Sequence, residues 1–299
     1  MKKNLIALAV AATMVPAIAA AEGASISGYT DITWTHDNST NIFWATAEVD
    51  IRNTVDSVTV GLDLDIDAVT GNLDAEQAFF AWGAAENLTI IAGKFNNPIG
   101  LEAEDSIDKP GTKSGAIYNA LDAATSLHAG NNISGLAVAY NAGVATVTVG
   151  ILNEIQAASG PNDDNSFALI VNASPVEGLD LELGYVTMDD SIGLMAANAL
   201  DINLAYKMDA IGFTFEMLDV DGLNDQLYGL GFSYDVAEGT SVNVAYDMDD
   251  NMISGYETEI RLTAWHDLAD NLTVGAGYNL ADNGNSDDES VIIEFFATF

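Results

Sequence analysis

Cysteine is absent from the 299 residues, so no disulfide can hold this chain and the fold must be stabilised by other means. Basic residues are almost as scarce: eight Lys and Arg stand against 45 Asp and Glu, a formal charge of −37. That balance excludes nucleic acid as a partner, because such binding rests on neutralising phosphates with Lys and Arg. Long apolar runs are missing as well. Beyond residue 21 none approaches the roughly 20 residues that a membrane-crossing helix needs. Yet 49% of the residues are hydrophobic, too many for the disordered class. High charge and high hydrophobicity must therefore alternate along the chain.

The first 21 residues carry their own pattern. Lys2 and Lys3 form a basic start, and Leu5 to Ala12 with Met14 and Val15 form an apolar stretch. Ala19-Ala20-Ala21 then offers a small-residue cleavage site before Glu22. Residues 1–21 are expected to be a secretory signal, leaving 22–299 as one domain. Its loss leaves six basic residues against the 45 acidic ones.

Beyond the signal the apolar residues recur with period two, which is the strand period. Phe43, Ala45, Ala47, Val49 and Ile51 share one face, while Trp44, Thr46, Glu48, Asp50 and Arg52 share the other. Val58, Val60, Leu62, Leu64 and Ile66 oppose Asp63, Asp65 and Asp67. Leu179, Leu181, Leu183 and Tyr185 oppose Asp180 and Glu182; Leu200, Ile202, Leu204 and Tyr206 oppose Asp201. Phe213, Phe215 and Met217 oppose Glu216, and Ile260, Leu262 and Ala264 oppose Glu257, Glu259 and Arg261. Short polar connections alternate with longer ones, the longest at about 97–130, and no linker divides the chain. The tally is about sixteen strands, eight long loops and seven short turns. An even count brings both termini to the short-turn end, as an outer-membrane barrel requires.

A soluble β-sandwich also alternates. Against it, Tyr140, Tyr185, Tyr206, Tyr234, Tyr246 and Tyr278 close apolar stripes near strand ends, as an interfacial girdle would. The last strand argues the same way. Val291, Ile293, Phe295, Ala297 and Phe299 form an apolar face running to the terminus, opposite Ile292, Glu294 and Phe296. Such an exposed edge is an aggregation hazard unless it pairs on both sides and meets lipid. The expected fold is all-β: a transmembrane antiparallel barrel.

With its signal, alternating strands, terminal Phe and one outsized third loop, the chain resembles Gram-negative outer-membrane general porins. The stretch Asn87-Leu88-Thr89-Ile90-Ile91-Ala92-Gly93-Lys94-Phe95-Asn96-Asn97-Pro98-Ile99-Gly100 looks like that family's fifth strand, and Asn131 to Tyr140 like the strand leaving the loop. The resemblance implies a sixteen-stranded homotrimer in outer-membrane lipid and lipopolysaccharide, with loop 97–130 folded into the pore. It implies a constriction built from acidic Glu102, Glu104, Asp105 and Asp108 facing basic Arg52 and Lys94. Positions 131–133, where the family often has an arginine, read Asn-Asn-Ile. Alternation sends Lys94 outward, whereas the family pattern or a bulge sends it into the pore. Phe299 would be the signal read by the barrel-assembly machinery.

Alternation also nominates the lumen lining: Glu48, Asp50, Asp63, Asp65, Asp180, Glu182, Asp201, Glu216, Glu257, Glu259 and Arg261. A lumen so lined concentrates cations and repels anions. The expected activity is passive diffusion of ions and small hydrophilic solutes with a cation preference. A substrate-specific channel is the alternative, although Trp44, Trp82, Trp265 and Phe80 look too scattered for a sugar slide. A barrel hydrolase would need a nucleophile beside His36, His128 or His266, and none is fixed there. No cofactor or dedicated metal site is expected, only weak divalent-cation binding at acidic loops. Asp247 to Asn251 begins like a calcium loop but has Met252 at the sixth position, where glycine is required.

Overall fold

A computed structural model describes residues 23–101, 111–122, 132–153, 165–187, 198–221, 225–250, 255–284 and 286–299. The expected signal, residues 1–21, lies outside them. Sixteen strands and one short helix make up the described fold. The first five strands are β1 (Ser25–Asp37), β2 (Asn41–Val55), β3 (Val58–Asp67), β4 (Asn72–Ala85) and β5 (Leu88–Asn96). The helix α1 (Ala116–Asp122) lies in the long third loop. Then come β6 (Asn132–Asn141), β7 (Ala145–Asn153), β8 (Asn165–Val176), β9 (Leu179–Thr187), β10 (Asn198–Met208) and β11 (Ile211–Val220). The last are β12 (Leu227–Ala237), β13 (Thr240–Met248), β14 (Thr258–Ala269), β15 (Leu272–Asp282) and β16 (Asp287–Thr298).

Each strand pairs antiparallel with its sequence neighbours, and β16 closes on β1. Closure gives every strand two partners, the only way a sheet satisfies its backbone in a membrane. It also accounts for the greasy terminus. Phe295 stands opposite Ile32 on one side and Val274 on the other. Val291, Phe295 and Phe299 are exposed on the outside, while Ile292, Glu294 and Phe296 are buried on the inside. Phe299 donates its N–H to the Gly28 carbonyl at 3.0 Å, and its ring lies against the bare Cα of Gly28.

The two-residue turns use the backbone conformations that tight hairpins demand. Asp56 and Asp209 have φ of 55° and 51°, and Gly178 and Gly239 serve the same need. The outward faces form two aromatic girdles. At the short-turn end Phe80, Trp82, Tyr140, Tyr206 and Tyr234 are exposed; at the long-loop end Phe43, Phe167, Tyr185, Tyr246 and Tyr278 are exposed. Between them the exposed belt is aliphatic, with Val149, Leu183, Val244 and Leu262 among its members.

One part of the inner wall departs from simple alternation. Leu152, Val186, Leu218 and Leu227 sit on the inside near the long-loop ends of β7, β9, β11 and β12, and all are buried. They form one apolar cluster with Ile99, Ile117, Ala120 and Leu121 of the third loop. The helix packs on β11, β12 and β13. An apolar seat on the inner wall therefore carries this loop. Burying such side chains stabilises by roughly 1.5–3 kcal/mol each when they leave water completely.

Candidate functional site

The site is the lumen. The third loop enters it after β5 and, besides the seat of α1, meets the wall at two notched places. In the first, Glu216 of β11 accepts the Leu101 N–H at 2.8 Å. Ile99 fills the space where a side chain at Gly184 of β9 would stand. In the second, Thr112 occupies the space beside Gly277 of β15, and its N–H reaches Thr263 Oγ1 of β14 at 3.4 Å. Here Lys113 pairs with Glu259. Its ammonium also lies 4.5 Å from the centre of the Tyr256 ring. The glycines are therefore notches in the wall, one beside the start of the loop and one beside its middle.

The carboxylates nominated by alternation fall into distinct settings. Glu48, Asp63, Glu182, Asp201, Glu216 and Glu259 are buried on the inner side. Asp50, Asp65 and Asp180 are partly exposed there, and Ser174 donates to Asp180 at 2.6 Å. Glu182 receives the amides of Asn172 and Asn203 at 2.5 and 3.1 Å, tying β8, β9 and β10 together inside the barrel. Glu257 lies just before β14, exposed, with its carboxylate beside Gly284 rather than in the strand wall. Glu102, Glu104, Asp105 and Asp108 lie outside the described residues.

The cations are few, and their positions decide the field. Arg52 grips Asp63 with both ends of its fork, the second bond at 2.7 Å, and stands 4.0 Å from Asp50. Its guanidinium also lies over Phe79, 5.3 Å from the ring centre. Lys207 pairs with Asp235 at 2.9 Å near the short-turn end. Arg261 is only 3% exposed and holds Asp247 through Nε at 3.0 Å and Nη2 at 2.9 Å. Lys94 stands opposite Ala78 and Ser134, in the outward register, and donates to the Ala75 carbonyl at 3.2 Å. Four of the five described cations are thus in ion pairs with carboxylates. Among the described residues, Asp65, Asp74, Glu182 and Asp201 have no cation at ion-pair distance.

Carboxylates also meet one another across the ladder. Glu48 stands opposite Asp65, Asp50 opposite Asp63, and Asp65 opposite Asp74. Glu48, Asp50 and Asp63 bring oxygens within 4.8 Å of one another, as do Glu48, Asp65 and Glu76. These groups are in strands, not in acidic loops, and Arg52 already engages Asp63. The calcium-like stretch begins at Asp247, whose carboxylate is spent on Arg261.

Other sequence expectations sort by position. Trp82 and Phe80 face outward. Trp44 lies at the long-loop end of β2 and Trp265 at the short-turn end of β14, so the four aromatics do not form one track. His266 meets Thr240 at 2.8 Å near the short-turn end, His36 stacks on Trp34, and His128 lies outside the described residues. Alternation places Asp247 and Gly184 on the inner face but marks neither Lys113 nor the notch at Gly277. Adjacent apolar pairs such as Ile151-Leu152, Tyr185-Val186 and Met217-Leu218 are the signal that marks a wall covered on both faces.

A closed sixteen-stranded barrel with an aliphatic, girdled outside and a charged inside is a channel-forming protein of the outer membrane. The chain belongs to the Gram-negative porin family, whose model matches residues 7–286. Among solved structures it resembles an engineered variant of Rhodobacter blastica porin at 16% identity, over 93% of this chain and 100% of that one, with a TM-score of 0.68. A second variant of that porin matches at 17% identity over the same shares, with a TM-score of 0.66. A loop-deletion variant of OmpT, an outer membrane protein of Vibrio cholerae, matches at 16% identity over 93% and 99%, with a TM-score of 0.61. Among curated proteins none matches significantly. Family and fold place the protein in the outer membrane and point to a channel rather than an enzyme.

Proposed function

We propose that the protein is a cation-preferring diffusion channel for ions and small hydrophilic solutes. One observation carries this reading. Among the described residues, the inward cations Arg52, Lys113, Lys207 and Arg261 are each paired with a carboxylate, while the inward Asp65 and Asp74, which are not buried, have no cation at ion-pair distance. A paired guanidinium presents little positive field to a passing anion, so the lumen's potential is set by the surplus carboxylates. A strong transverse field between an acidic loop and a basic wall has no support, because the wall across β2 and β3 is acidic. The preference should fade with salt, since the screening length falls from about 10 Å at 0.1 M to about 3 Å at 1 M.

Swelling of proteoliposomes in solutes of equal size and different charge tests this reading. Cationic solutes are expected to enter faster than neutral ones and anionic ones slowest, with the differences shrinking as salt is raised. Equal rates for both signs at low salt would remove the preference.

The working assembly in this reading is a homotrimer embedded in lipid and lipopolysaccharide, inserted by the barrel-assembly machinery. Phe299 is the residue that the machinery reads. Its ring sits on the outside over Gly28 and carries no lumen contact, so it is not needed for conduction. Deleting Phe299 is expected to lower the yield of assembled barrel severalfold in cells while the channels that do form conduct normally. Undiminished assembly in outer-membrane fractions would contradict that role.

A further inference from the structure

We propose that Arg261 is a positioning residue that locks the third loop to the wall and thereby sets the free cross-section of the channel. The inference rests on the channel reading and concerns how the channel keeps its width. Sequence alone presents Arg261 as a lumen cation. Its surroundings are those of a bolt. It is 3% exposed, and no face of its guanidinium is left to attract an anion. From β14 it takes Asp247 of β13 with Nε and Nη2, at 3.0 and 2.9 Å. With Nη1 it donates to the backbone carbonyl of Lys113, in the loop, at 2.7 Å. Glu259, two residues along the same strand, stands 3.9 Å from Nε and takes the Lys113 ammonium. One guanidinium therefore joins two wall strands to the main chain of the loop.

The geometry beside it fits the same role. A β-carbon built on Gly277 would collide with the Thr112 hydroxyl and lie 3.1 Å from Thr112 Cβ. The wall has been cut away where the loop passes. A planar five-donor fork can hold a carboxylate and a carbonyl at fixed angles, which a lysine cannot. Downstream of this point α1 runs onto its apolar seat, so a loop released at 111–113 would change the passage along β13 to β15.

The charge-neutral double variant Asp247→Asn with Arg261→Gln separates positioning from charge, because it removes one of each sign and strands neither. Single channels of this variant are expected to shift to larger, more variable unitary conductance, with the reversal potential under a salt gradient unchanged. A second step supplies the rescue. The chain has no cysteine, so Thr112→Cys with Gly277→Cys introduces the sole thiol pair. The Cβ separation of 3.1 Å is a few tenths of an ångström short of the roughly 3.5–4.5 Å that a disulfide spans, so the loop need shift only slightly to accept it. Oxidising that pair in the double-variant background is expected to return conductance to the parental value, and reducing it to release the loop again.

If the double variant fails to assemble, Arg261→Lys carries the test, keeping the charge and losing the fork; the same rise in conductance is expected. Unchanged conductance in either assembled variant overturns the proposal, as does a cross-link that forms without restoring it. A shift in reversal potential at constant conductance would make Arg261 a field-setting charge and also overturn it. An anion-selective parental channel would contradict the proposed function while leaving this conductance test intact.

Discussion

Val244→Lys is expected to weaken the folded barrel in a bilayer by about 2–4 kcal/mol, the cost of a basic residue near mid-membrane on the lipid side. Val244 lies mid-strand in β13, exposed on the outside between Phe232 of β12 and Leu262 of β14. Asn243→Lys makes the same chemical change one residue earlier, on the lumen side opposite Ser233 and Thr263. There the ammonium stays in water, so stability is expected to change little while cation preference declines. Reversible unfolding in lipid vesicles reads the first effect, and a salt-gradient potential reads the second. Period two makes the pair diagnostic: were the faces exchanged, the two outcomes would exchange as well.

Asp247→Ala is expected to cost about 3 kcal/mol, near the lower end of the range for removing one partner of a buried ion pair. Asp247 and Arg261 have side chains only 5% and 3% exposed, so the guanidinium loses a buried counter-charge at 2.9 Å. Glu259 is 3.9 Å away and already engaged by Lys113, so it replaces Asp247 only in part. Asp63→Ala is expected to cost less, because Arg52 is one third exposed and can turn to water. Urea midpoints of the two variants in the same lipid should order that way. An equal loss for both would mean that the seal over Arg261 is not as tight as its contacts indicate.

Most of the barrel was legible because a sheet between oil and water writes its two faces into alternate residues. The strand count, the alternation of long and short connections and the outward tyrosines all derive from that one constraint. The terminal strand was legible for the same reason, down to Glu294 on the inside and Phe295 on the outside. What period two could not show is where the interior is not water. The apolar seat breaks the pattern at Leu152, Val186, Leu218 and Leu227, and these pairings of adjacent apolar residues acquire meaning only once the loop lies against them. Lys94 was ambiguous because alternation sends it outward while the family pattern or a bulge sends it into the pore. Gly93 before it has φ of 136°, and a β-carbon there would lie 2.5 Å from the Phe79 backbone. Strand-to-strand packing of that kind leaves no mark on alternation, although the register keeps Lys94 on the outer side.

The candidate site was legible in its parts and not in its pairings. Arg52, Glu259 and Arg261 were nominated for the lumen, but sequence spacing cannot say that Arg52 meets Asp63, or that Arg261 turns to Asp247 and a loop carbonyl. Those pairings decide how far each cation's own field reaches into the water. Paired, the cations leave a lumen whose surplus charge is negative.

The reversal potential of single channels in a neutral planar bilayer, under a tenfold potassium chloride gradient at low ionic strength, tests that claim most directly. Cation selectivity is expected, with a potential approaching the potassium equilibrium value and relaxing toward zero as both solutions are made saltier. A potential of the opposite sign would contradict the account, since no arrangement of these pairs leaves the lumen positive.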